Sequence, residues 1–357
     1  MSRSATKTQV SLLSRPLRVG FLALTDAAPF AVAEERGLFA KHGARIQLSR
    51  EVGWATIREK VIYGELDAAQ APAPMLWAIS LGLESVAYPV TTGLVLNLNG
   101  NALTLSERLW VAGVRDAKTL RDEAHSRKGE HKLTFGVVFN FSSHHLLLRA
   151  WLREGGINPD RDVRIVVVPP AQMFRNLAAG TIDGYFAGEP WNSLAVREKI
   201  GWCPTWSSRL QPGHIEKVLM VTERFAESHP TEHAAAIAAL FEACAWCEKP
   251  ANREPLAQLL ARAGYVNQSA HIISPALTGA FDCGHDRTES VPDFHVFHAD
   301  HANQPTTAKA AAIQQELVAA GLLPSGSVTA ELPRRLFRED IFKHATRINS
   351  PHELVSS

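Results

Sequence analysis

Cysteine is scarce in this sequence: Cys203, Cys244, Cys247 and Cys283 are the four in 357 residues. That is too few for a disulfide framework, and in a reducing compartment they stay free thiols. Cys244 and Cys247 form a CxxC, but it lies inside a helical stretch from about residue 230 to 248, with no second pair nearby to complete a zinc site. The pair reads as two small buried residues one turn apart. Charge of one sign is also missing. With 37 basic against 36 acidic residues the net charge is +1, so nothing favours direct contact with nucleic-acid phosphates. Long apolar runs are absent. None approaches the roughly 20 residues of a membrane span. Ahead of Arg15 the longest run is Leu12-Leu13, short of the about 7–15 apolar residues of an export signal. These absences predict a soluble, cytoplasmic chain with no membrane contact. The sequence also has no GxGxxG between strand and helix, no GxxxxGK[ST], no HExxH and no GxSxG. No nucleophile stands beside a base, so neither an enzyme nor a cofactor is expected.

What the chain does hold is enough apolar residue, 46%, to bury a core in each of two domains. It also holds one phrase twice. Leu17-Arg18-Val19-Gly20-Phe21-Leu22 returns 116 residues on as Leu133-Thr134-Phe135-Gly136-Val137-Val138, and Gly64-Glu65-Leu66-Asp67-Ala68 returns at the same offset as Gly180-Thr181-Ile182-Asp183-Gly184. Each copy reads strand, loop, helix, strand, helix, strand. In the first, strands fall at residues 17–22, 45–48 and 66–69, with helices from Pro29 and over 55–63 stopped by Gly64. In the second, strands fall at 133–139, 164–168 and 182–187. A helix there follows Ser142 and Ser143, either able to cap it, and carries His144, Leu147, Leu148, Trp151 and Leu152 at helical spacing.

Parallel strands joined by helices predict an α/β fold of two lobes, each a doubly wound mixed sheet flanked by helices, with a cleft between them. Ligands in such sheets sit beyond the C-terminal strand ends. The division expected is a flexible N-terminal tail over 1–15, lobe 1 from 16–110 plus 215–345, lobe 2 from 111–214, and a C-terminal tail over 346–357. The strand ends then bring residues 25–28, Gln70, 141–144 and 188–191 to the cleft.

At those residues the sequence resembles a known family. Pro29-Phe30-Ala31-Val32-Ala33, Gly37-Leu38-Phe39, Gly64-Glu65-Leu66-Asp67-Ala68-Ala69-Gln70 and Gly188-Glu189-Pro190-Trp191-Asn192 resemble the solute-binding proteins of nitrate, bicarbonate and sulfonate ABC transporters, which have the type II periplasmic-binding-protein fold. Gly155-Gly156-Ile157-Asn158-Pro159-Asp160 is similar to the nitrate/bicarbonate branch. Without an export signal, the chain looks like the cytoplasmic NasS-like nitrate/nitrite sensors. That resemblance implies a partner, an ANTAR-domain RNA-binding antiterminator held in the absence of anion and released on its binding. It implies a role in regulating nitrate-assimilation genes by transcription antitermination. The alternative is the substrate-binding subunit of a nitrate importer. A third reading, an enzyme on a small heterocycle or sulfur compound, would need a nucleophile that the cleft segments do not offer.

The resemblance also implies the anion ligands. Gly53-Trp54-Ala55 points to Trp54, the segment ending in Gln70-Ala71-Pro72 to Gln70, the 139–151 segment to His144, and Ile215-Glu216-Lys217-Val218 to Lys217. Ser142, Ser143, Gly188, Glu189 and Trp191 stand behind them as supporting residues. The chemistry suits nitrate or nitrite. A buried monoanion needs donors and one compensating cation. Lys217 would supply the charge, on the order of 4 kcal/mol at 4 Å and an effective dielectric near 20. Trp54, Gln70 and His144 would donate N–H groups, and a helix N-terminus at 142–144 favours the anion while keeping His144 neutral. On this reading Lys217→Ala weakens nitrate binding strongly and leaves the fold intact. His295, His298 and His301, beside Asp293 and Asp300, are a loose set of metal-ligand types. Their spacing favours a polar loop near the cleft mouth or hinge.

Overall fold

A computed structural model describes residues 15–127, 131–324, 326 and 329–347. The tails expected over 1–15 and 346–357 lie almost entirely outside these. Among the described residues thirteen strands run in chain order: β1 (Leu17–Leu22), β2 (Ile46–Glu51), β3 (Ala68–Pro72), β4 (Val90–Asn99), β5 (Asn101–Ser106), β6 (Thr134–Val137), β7 (Arg164–Val167), β8 (Gly184–Gly188), β9 (Gly201–Trp206), β10 (Ile215–Thr222), β11 (Ala280–Asp282), β12 (Thr288–Ser290) and β13 (His295–Val296). Eleven of them make two mixed sheets, a six-stranded one in the order β13-β4-β10-β3-β1-β2 and a five-stranded one in the order β7-β6-β8-β5-β9.

The internal repeat is visible in this order. In both sheets the first strand of the copy lies between the second and third and runs parallel to them. An antiparallel strand then follows, β10 in one sheet and β5 in the other. Each of these comes from outside its own repeat, so the two sheets exchange a strand. The helices that flank the parallel strands also correspond. Trp54–Ile62 ends before Gly64 at φ 72°, and Pro170–Ala179 ends at Gly180 at φ 71°, both left-handed positions that favour glycine.

The crossing between lobes stands at Gly100, between β4 and β5, rather than near residue 110. No change of composition marks it, because β4 and β5 are buried at every residue. The mark is Gly100 itself, at φ 102°, where a Cβ would come within 2.6 Å of the His295 ring. The return crossing leads into β10, which begins at Ile215. Beyond β10 the chain is mostly helical. The long helix Pro230–Glu248 packs its alanine-rich face on the helix Ala28–Glu35 and buries Cys244 and Cys247 among Leu94, Leu96 and Ile237. All four cysteines are buried free thiols. Among the described residues no helix is long and apolar enough to cross a membrane.

Candidate functional site

Strand β3 begins two residues later than its pattern suggests, so Gln70 lies within the strand, not beyond its end. The strand runs this far because its pairing with β10 extends from Ala68 to Pro72, past the two residues that pair with β1. In the antiparallel pairing of β3 with β10, Gln70 faces Leu219 and Pro72 faces Lys217. Gln70 and Lys217 are therefore diagonal neighbours on one sheet face. A strand normally sends consecutive residues to opposite faces. The register between β10 and β4 shifts at Ile215, Lys217 and Val218, and a local irregularity of this kind re-aims side chains. Glu216 and Lys217, though adjacent, both reach the same place, where the Lys217 ammonium donates to Glu216 Oε1.

The loop after β1 supplies a second acid. Asp26 Oδ2 lies 2.8 Å from Lys217 Nζ, and Asp26 Oδ1 accepts a hydrogen bond from Gln70 Nε2 at 2.7 Å. Gln70 Oε1 accepts from the Leu22 backbone N–H at 3.1 Å. Trp54 opens the helix Trp54–Ile62, and Lys217 Nζ sits 5.3 Å from its ring centroid. This wall comes wholly from the first lobe.

The facing wall is the N-terminus of the helix Ser143–Glu154 in the second lobe. Ser142 caps it by accepting from the His145 backbone N–H. Ser143 Oγ donates to Glu216 Oε2 across the cleft, and His144 Nε2 lies 3.5 Å from Glu216 Oε1. Asn101 Nδ2 also donates to Glu216 Oε2, at 2.6 Å, and His214 Nε2 lies 3.2 Å from it. The lobes meet again where the Thr25 backbone N–H donates to the Glu189 carbonyl at 2.8 Å. Trp54 is 1% exposed, and Gln70, His144 and Lys217 are 0% exposed, so the cluster is closed to solvent. A cavity of about 130 Å³ lies alongside, lined by Pro74, Ser143, Leu146, His214, Lys309 and Glu316 among others.

The structure thus brings Trp54, Gln70, His144 and Lys217 to one place. Of the supporting residues, Ser143 touches the cluster directly and Ser142 holds its helix. Gly188 lies where a Cβ would come 3.6 Å from Asp26 Oδ2 and 3.4 Å from Asn101 Oδ1. Glu189 Oε2 accepts from the Ser193 N–H at 3.2 Å, and Trp191 lines a separate cavity of about 320 Å³ with Leu22, Pro169 and Val266. Asp26, Glu216 and Asn101 were not foreseen as site residues. Signals existed for two of them: Asp26 stands in the loop beyond β1, and Glu216 adjoins Lys217.

These acids change the electrostatics. Burial works against the Glu216 charge, but Lys217, His144 and His214 outweigh it and hold the carboxyl well below its ordinary range. Burial likewise opposes the Lys217 charge, and Asp26 and Glu216 outweigh it, so the ammonium is held above its usual value. Asp26 goes the other way. Burial raises it, and Lys217 and Gln70 only partly offset this. Burial pushes His144 down to about 3 against the pull of Glu216, with Lys217 and His214 adding to the fall, so the ring is neutral at pH 7. Neither His144 ring nitrogen nor Trp54 Nε1 has a hydrogen-bond partner among the described residues.

Lys217 is not a free cation awaiting an anion, since its ammonium already pairs with Asp26 and Glu216, and this argues against the expectation that Lys217→Ala leaves the fold intact. Removing the ammonium would strand two buried carboxylates. The histidines at 295, 298 and 301 diverge. His295 is buried in β13 against Phe297, His298 Nδ1 lies 2.8 Å from Asn303 Oδ1, and His301 is exposed. Among the described residues no three His, Cys, Asp or Glu side chains are grouped to hold a metal ion.

Two mixed sheets, an exchanged strand and a buried polar cluster between the lobes define a protein of the periplasmic-binding-protein fold. The chain belongs to the NMT1-like family, which it matches over residues 13–261. It is 32% identical to the nitrate/nitrite binding protein NrtA of Nostoc sp. (strain PCC 7120), over 92% of this chain and 76% of that one. It is 37% identical to the nitrate import ATP-binding protein NrtC of Synechocystis sp. (strain PCC 6803), over 93% of this chain and 50% of that one. The bicarbonate transport ATP-binding protein CmpC of the same organism is 36% identical, over 93% and 50%. The chain therefore spans about half the length of these last two relatives. The crystal structure of the periplasmic nitrate-binding protein NrtA from Synechocystis PCC 6803 superposes with a TM-score of 0.89 at 26% identity, covering 94% of this chain and 89% of that one.

Proposed function

We propose that the chain binds nitrate or nitrite between its lobes. The observation that carries this is the closed cluster of Trp54, Gln70, His144 and Lys217, in which buried N–H donors of Trp54 and His144 have no partner. A small oxyanion has acceptor oxygens for both. The kinship with NrtA supports nitrate over larger anions. Anion binding would bias an equilibrium between open and closed lobes.

The finer reading is a cytoplasmic sensor. The open, anion-free form holds an ANTAR-domain antiterminator, and closure around nitrate or nitrite releases it to act on nitrate-assimilation transcripts. The resemblance to NasS-like sensors supports this. By linkage, the partner must weaken anion binding by the same factor as the anion weakens the partner. The importer reading has its own support in NrtA and NrtC, so the two make different demands. Titration of the purified chain with nitrate, nitrite, bicarbonate and an alkanesulfonate in a calorimeter tests the ligand, and absence of heat with both nitrogen oxyanions rejects it. A complex with the antiterminator that survives saturating nitrate rejects the sensor. Recovery of the chain from the periplasm favours the importer.

A further inference from the structure

The charges at this site do not balance for a bare anion. Asp26 and Glu216 are both carboxylates on one ammonium, and all three groups are buried. An arriving nitrate would add a further buried negative charge and compete with both acids for Lys217. Burying an uncompensated charge is prohibitive, so a group changes its protonation state instead.

The two acids are held unequally. Glu216 faces four donors: Lys217, Asn101 Nδ2, Ser143 Oγ and His214 Nε2. Among the described residues Asp26 has only Lys217 and Gln70. On its lobe 2 side stand Gly188 and the Glu189 backbone, neither bringing a donor to its carboxylate. When an anion takes a share of Lys217, Asp26 loses its one cation, while Glu216 keeps Asn101, Ser143 and His214. Three other groups nearby can take a proton: His214, whose Nε2 faces Glu216 and not Asp26, Glu189, whose carboxyl turns away to the Ser193 N–H, and His144. His144 stands at a helix N-terminus beside Lys217, and both disfavour an imidazolium.

We propose that Asp26 takes up one proton from solvent as a singly charged oxyanion engages Lys217, so that anion binding is coupled to proton binding and Asp26 sets the charge the site accepts. This inference rests on the oxyanion reading above. The net charge of the cluster is then the same before and after binding. A doubly charged anion such as sulfate would need a second proton, for which the site has no comparable acceptor.

Nitrate calorimetry on the intact chain between pH 6 and 9, in buffers of unequal ionisation enthalpy, tests it. The expected result is one proton taken up per nitrate and a Kd that rises about tenfold per pH unit on the alkaline side. In Asp26→Asn, nitrate should bind with no proton uptake and a Kd flat with pH. Wild-type binding with no proton uptake, a readout that needs no variant, would overturn the coupling and leave the oxyanion reading standing. Persistent uptake in Asp26→Asn would overturn the assignment to Asp26. No binding of nitrate or nitrite at any pH would overturn the oxyanion reading, and this inference with it.

Discussion

Replacing Lys217 with methionine keeps the length and apolar stem of the side chain and removes its charge. In wild type the ammonium stands 2.8 Å from Asp26 Oδ2 and bonds Glu216 as well, with no solvent exposure. At an effective dielectric of 20, one such pair at this distance is a gross attraction of about 6 kcal/mol. Most of that offsets the cost of taking the charges out of water. Breaking a buried pair by removing one partner nets about 3–5 kcal/mol of lost stability, because a charge is left uncompensated. Lys217→Met should therefore cost about 3–5 kcal/mol in urea unfolding at pH 7. The loss should shrink as pH falls, because Asp26 and Glu216 can then be neutralised by protons. The triple variant Asp26→Asn, Glu216→Gln, Lys217→Met should regain most of it, since neutral groups of similar shape leave no charge stranded. A loss below about 1 kcal/mol, the scale of a surface pair, would refute this reasoning. So would a triple variant no more stable than the single one.

Three further outcomes follow from the same structure. His144→Ala should leave the chain folded but weaken nitrate binding at least tenfold in a calorimetric titration, because a buried donor is lost; unchanged affinity would remove His144 from the site. Burial holds His144 and His295 at about 3 and His145 and His233 at about 4, all below the ordinary value. The unfolded chain then binds more protons below about pH 6.5, so each histidine withdraws about 1.4 kcal/mol of stability per unit of falling pH. Burial raises Glu189 to about 7, and this group works in the opposite sense. The net loss between pH 6.5 and 5 should be on the order of 4 kcal/mol per unit, read from urea midpoints, and a flat profile would contradict it. Gly155→Ala should cost about 1–3 kcal/mol by overpacking, since its Cβ would come within 2.5 Å of the Ala117 carbonyl; a melting temperature equal to wild type would show that the contact yields freely.

The two-lobed plan was legible because the repeat carries strong local signals. Leu17–Leu22 and Pro230–Glu248 form as their patterns indicate, and Gly64 and Gly180 end equivalent helices. The crossing at Gly100 was not legible, because apolar pattern reports burial and β4 and β5 are both fully buried in different sheets. At the site, Trp54, Gln70, His144 and Lys217 could be picked out by resemblance and donor chemistry. Their counter-charges could not. Asp26 comes from a loop nearly two hundred residues from Lys217, and Glu216 reaches the cluster only through the register shift in β10. Their positions after β1 and beside Lys217 were signals, but the pairings themselves are set by tertiary geometry.

A crystal structure of the chain grown with nitrate tests the central claim most directly. The account places the anion between the lobes, within hydrogen-bond distance of Trp54 Nε1, a His144 ring nitrogen and Lys217 Nζ. An anion bound elsewhere, with the Lys217 cluster undisturbed, would contradict it.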